Sequence, residues 1–167
     1  MYYQSIKQFA KMLNNLNTIL DKAASFAEHK KSPLEILLES RLVLDQFNLI
    51  KQIQITCDTA KSSAGLLAGH EVPSHPDNEK NLIDLKSRIE KTLTYLETFK
   101  ESDFSDAKNK KISRPRWEGK YLSGEEFLTQ HALPNFYFHF TTAYSILRHN
   151  GVELGKKDYL GPLPYKS

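Results

Sequence analysis

A single imidazole placed among aromatic side chains is the best candidate for chemistry in this chain. In "PNFYFHFTTAYSILRHNGV", residues 134–152, His139 stands among Phe136, Phe138, Phe140, Tyr137 and Tyr144. At about 100° per residue, Leu128, Ala132, Ala143 and Ile146 fall within about 40° of His139, which puts it near the middle of a buried stripe. Asn135 and Thr142 flank it at i−4 and i+3, within reach of the same pocket. A buried imidazole or carboxamide without hydrogen bonds costs about 1–3 kcal/mol. Something must therefore satisfy this group: a neighbouring carbonyl or hydroxyl in a plain core, or a polar pocket, ordered water or a metal ion. The partners on offer from an earlier helix are Gln54, Asp58 and Lys61, along one edge of its apolar stripe. They form either a solvated edge with an Asp58–Lys61 ion pair, or a site in which Asp58 orients His139 as general base or shares a metal with it.

Other groups point elsewhere. His70 and His75 fall in the proline-broken loop "HEVPSHPD", where histidines are usually solvated, and His131 lies upstream of Pro134 on another side of the helix. His149 sits near a helix C-terminus, where the dipole favours an imidazolium. Cys57 falls on a core stripe, which favours inert packing over nucleophilic use. "KNKKISRPRWEGK", residues 108–120, holds six basic residues, one acid and Trp117. A cationic surface with an aromatic suits nucleic acid, but short basic loops are common and the remaining chain offsets the charge. Trp117 reads as a lid over one end of the fold. No phosphate-binding glycine loop and no serine or cysteine nucleophile motif is present.

The elements that must position these residues are helical. Ile6, Phe9, Ala10, Leu13, Leu16, Leu20, Ala24 and Ala27 define a first amphipathic helix. "KKSPLE" breaks it, with Ser32 as N-cap and Pro33 at the first position of a second helix. That helix carries Phe47, Ile50, Ile53, Cys57, Ala60, Ala64 and Leu67 on one side and ends near Gly69. Asp77 or Asn78 caps a third, striped by Leu82, Leu85, Ile89, Leu93, Leu96 and Phe99. "KKISRP" and "KYLSG" suit a small hairpin or an irregular insert. Ser123 and Glu126 form a capping box opening the last helix. Pro134 predicts a kink or two abutting helices there, and Gly151 a left-handed stop. Four such stripes cannot be buried singly, so the expectation is an all-α four-helix bundle, one domain over residues 1–167.

The totals agree. A chain of 167 residues with 40% apolar and 26% charged residues is globular in composition. Its formal charge of +3 does not by itself imply a nucleic-acid partner. One cysteine fits a reducing cytoplasm. The N-terminal stretch has no apolar run long enough for a signal peptide or a membrane span.

"LPNFYFHFTTAYSILRHNGV" with "LGKKDYLG", and "RLVLDQFNLIKQIQITCDTAK" in the second helix, resemble a bacterial family of unknown function within the DinB/YfiT-like superfamily of four-helix-bundle metalloenzymes. The resemblance implies a divalent metal (zinc, nickel, manganese or iron) held by three histidines: one from the second helix and two, four residues apart, from the last. It also implies thiol-dependent transferase or isomerase chemistry on a small molecule, and a homodimer. Counting back from Gly151, His139 takes the place of the second paired histidine and Asn135 that of the first. No histidine lies between Pro33 and Gly69. The expected site is thus His139 and Asp58 as catalytic or metal-holding groups, with Asn135, Gln54 and Thr142 for a small-molecule ligand. The rival expectation is a binding or dimerisation module without chemistry.

Overall fold

Heptad-like stripes of Leu, Ile, Phe and Ala give four long helices, and their apolar faces meet in one core. In a computed structural model of the chain, which describes residues 1–166, α1 spans Tyr2–His29 and α2 is the short Glu35–Leu38. The longer α3 spans Leu49–Ala68 and α4 spans Leu82–Glu97. An irregular stretch follows, containing strands β1 (Lys111–Ser113) and β2 (Tyr121–Ser123). Then come the single turn α5 (Gly124–Glu126), the long α6 (Leu133–His149) and the short α7 (Lys156–Leu160). Helices α1, α3, α4 and α6 form the bundle, with α3 packed against all three others. No helix among the described residues is long and apolar enough to cross a membrane.

Helix α3 is the central element. Fourteen of its 20 residues are buried, so it keeps only a narrow outer face. It begins later than "KKSPLE" suggests. Ser32 caps nothing; α2 ends after one turn, and the chain restarts as a helix only where the Asn48 side chain accepts from the Lys51 N–H at 3.0 Å. That carboxamide satisfies an orphan donor which Ser32 is too far away to reach. Phe47 therefore precedes the helix and is 54% exposed, not part of its core stripe. The cap of α4 is likewise Asn81, accepting from Asp84 N–H at 2.9 Å, not Asp77 or Asn78.

Between α4 and α6 the expected hairpin is present as a minimal antiparallel pair. Lys111 lies opposite Ser123, Ile112 opposite Leu122 and Ser113 opposite Tyr121. Pro115 lies in the 3₁₀ turn between the strands, where its missing N–H costs no ladder bond. Ser123 and Glu126 cap each other as anticipated. Ahead of Pro134 the backbone widens into a π-helical turn, Phe127–Ala132. A proline ring clashes with the carbonyl four residues back and offers no N–H, and a π turn relieves both faults without ending the helix. Gly151 stops α6 at φ +94°.

One close approach ties the insert to the bundle. A Cβ at Gly124 would lie 1.8 Å from the Ala107 carbonyl oxygen, a backbone atom that cannot rotate away. Gly124→Ala is expected to destabilise the protein by about 2 kcal/mol or more, because the backbone must shift. Urea denaturation, comparing midpoints with wild type, checks this.

Candidate functional site

The cleft that contains His139 lies between α3, α6, the loop after α3 and the hairpin, with a volume of about 570 Å³. His139 is buried, 9% exposed, and its Nδ1 lies 2.7 Å from Gln52 Oε1. Gln52 is itself fixed, since its Nε2 donates to the Phe47 carbonyl at 3.0 Å. With the amide so oriented, Oε1 must accept, Nδ1 must carry the proton, and Nε2 is left as the acceptor of the ring. Burial alone lowers the His139 pKa to about 4, so the ring is neutral at neutral pH. Beside it, Asn135 Nδ2 donates to Thr59 Oγ1 at 2.7 Å, while that hydroxyl donates to Ile55 O.

Three of the five expected site residues meet here: His139, Asn135 and Asp58 all line the cleft. Gln54 and Thr142 do not. Gln54 donates to Glu79 Oε2 at 2.8 Å, and the Thr142 hydroxyl donates to the Phe138 carbonyl of its own helix. Asp58 does not orient His139. Its carboxylate instead pairs with Arg88 at 2.8 Å and with Lys61 at 2.9 Å. Sequence periodicity passed over Gln52, Thr59 and Arg88. Arg88 follows the core residue Leu85 by three positions, a spacing that puts it on the same face, and this was the available signal.

Around the buried Arg88 an ion network forms that reaches the surface at Asp58, Asp77 and Lys51. The guanidinium reaches Asp58, Asp77 and Glu79 within 2.9 Å, and Lys51 and Lys61 join the same carboxylates. Burial opposes ionisation of Glu79, but bonds from Arg88, a backbone N–H and Gln54 outweigh it and hold the carboxyl below its ordinary value. The same contest, won by Lys51 and Arg88, depresses Asp77. Three cations and three carboxylates thus cancel. His75, expected to be a solvated loop residue, lines the cleft; burial, then Lys61 and Arg88, lower its pKa. Cys57 is fully buried and pushed up to about 12, chiefly by burial, which fits packing.

The donor set does not fit the three-histidine metal centre that the resemblance implies. His139 supplies one imidazole, Asn135 offers a weak amide, and both oxygens of Asp58 already face cations. A dication there would also meet Lys61 and Arg88. Among the described residues no three His, Cys, Asp or Glu side chains converge on a metal position. Zinc, nickel or manganese offered to purified protein is expected to bind equally, and weakly, in wild type and His139→Ala, measured as metal per chain after gel filtration.

His139 also sets an acid response. Because its folded pKa lies below that of an exposed histidine, the unfolded chain takes up the proton first and stability falls between pH 6.5 and about 4. From pH 7 to pH 4.5 the loss from this group is about 2 kcal/mol. Urea titrations at the two pH values should show a drop smaller by that amount in His139→Gln, which cannot ionise.

With the geometry in place, comparisons give the lineage. The sequence profile of a domain of unknown function, DUF1993, matches residues 1–160. A crystal structure of a DinB family member protein from Shewanella denitrificans superposes with a TM-score of 0.94 at 59% identity, over 97% of this chain and 92% of that one. No curated protein matches. The close superposition agrees with the bundle built above from its helical stripes, and the profile spans nearly every element of it. The chain belongs to the DUF1993 family, on a DinB-type helical fold.

Proposed function

We propose that this protein binds a small molecule in the α3–α6 cleft and that its family's bundle serves here as a receptor for that ligand. The observation that supports this reading is a roomy cleft whose floor holds a neutral imidazole in one tautomer. His139 offers an acceptor at Nε2, and Asn135 retains its carbonyl oxygen once Nδ2 is spent on Thr59. Polar groups held in place by their own neighbours recognise a ligand without a reorganisation cost.

Chemistry is not needed to account for these features. A histidine with a pKa near 4 is a weak base at neutral pH, and the carboxylate beside it is neutralised by Arg88 and Lys61. The arrangement suits hydrogen-bonded recognition better than proton transfer.

A thermal-shift screen over thiols, sugars and aromatic acids tests the reading. A ligand at ten times its Kd stabilises by about 1.4 kcal/mol, which raises the melting midpoint by about 3–5 °C in a chain of this length. The shift is expected in wild type and should shrink in Asn135→Ala. Equal shifts in both proteins, or none across the screen, would remove the cleft as a binding site.

A further inference from the structure

The charges around the cleft are unequal once the Arg88 network has been balanced. Arg114 and Arg116, from the hairpin, line the cleft and have no carboxylate within 4 Å among the described residues. Each is instead held by neutral groups. Arg114 Nη2 donates to Ser62 Oγ at 2.6 Å and its guanidinium lies over the Phe127 ring at 5.6 Å. Arg116 Nη2 lies 3.2 Å from His131 Nε2, and His131 stacks on Phe127. The Arg114 Nε is buried without any acceptor. Burial, then the charge on Arg116, lower the Arg114 pKa, and burial followed by both arginines lowers that of His131. The field at this end of the cleft is positive.

Two guanidinium groups whose partners are uncharged, with donors unspent, are suited to an anion. The lining also has apolar side chains, Phe47, Ile55 and Val72. We infer that the cleft binds a small organic acid, its carboxylate or phosphate held by Arg114 and Arg116 and its apolar body against the apolar part of the lining. The inference rests on the cleft being a ligand site, and adds the class of ligand.

Isothermal titration of the full chain with phenyl phosphate, benzoate and benzyl alcohol tests it. At least one of the two acids should bind, at least about tenfold more tightly than the neutral alcohol, as expected when a charge-assisted bond is lost. The ratio between the acids assigns the headgroup. Arg114→Gln and Arg116→Gln should each weaken the acid about tenfold, with Lys156→Gln, on the remote α7, unchanged. Arg116 is exposed, so its variant tests the idea even if Arg114→Gln unfolds. Equal affinity for acid and alcohol, or acid binding that survives both arginine changes, would overturn the inference. So would an absence of acid binding while the thermal screen still finds an Asn135-dependent neutral ligand, and in that case the cleft itself would stand. Loss of every Asn135-dependent ligand would sink both ideas.

Discussion

The buried guanidinium of Arg88 is the constraint around which this bundle is organised. At 2% exposure it cannot remain charged without partners, and those partners come from α3 and from the loop that joins α3 to α4. Its Nη1 also donates to the Pro76 carbonyl at 3.2 Å, so a loop with two prolines and no regular structure is pinned at its backbone. A buried charge that loses its partner costs several kcal/mol, whereas a fully paired one is close to neutral against an apolar core. The network therefore acts less as a source of stability than as a specification: the 70–80 loop has one low-energy position. That position forms one wall of the cleft.

The same network decides the chemistry of the site. By claiming Asp58, Arg88 and Lys61 remove the one acid that lines the cleft from service to His139. The imidazole then has only the Gln52 carboxamide, a neutral acceptor that cannot stabilise an imidazolium as a carboxylate would. Hence the direction of the His139 shift: desolvation lowers its pKa and nothing opposes it. With Asp58 held by Arg88 and Lys61, neither His139 nor the two arginines of the hairpin has a carboxylate partner in the cleft among the described residues.

How much of this was legible beforehand depended on whether the signal was local. The four helices are visible because 3.6-residue periodicity is a property of each segment alone. The burial of His139 follows from its own helix, as does the mutual cap of Ser123 and Glu126. Partners were not legible. Gln52 and Gln54 differ by about 200° around α3, and which flank meets α6 depends on how the helices are arranged, which no single stripe encodes. Assigning a solvated edge to Gln54, Asp58 and Lys61 assumed a helix with an outer face. Helix α3 keeps only a narrow one: the Asp58 side chain is 42% exposed and forms the anticipated ion pair with Lys61, whereas Gln54 and Lys61 are buried. The late start of α3 escaped for a different reason: Ser32–Pro33 is a good local start signal, but Asn48 competes for the same role nearer the helix that tertiary packing retains.

Arg114 shows how an insert can alter a bundle without changing its helices. Residues 101–123 add little to the core apart from Phe104, Ala107 and Ile112. Yet the contact between Gly124 and Ala107 holds the base of the insert against α5, and the Arg114–Ser62 bond lays its tip across α3. The insert therefore supplies charge at a defined place while the helices supply rigidity, the usual division between a scaffold and the loops it carries. With a weak amide ligand at Asn135 on α6 the cleft is poorly equipped to hold a cation, and the two guanidinium groups of the hairpin make its other end positive. Both features come from side chains at the cleft, and neither disturbs the helix packing that defines the fold.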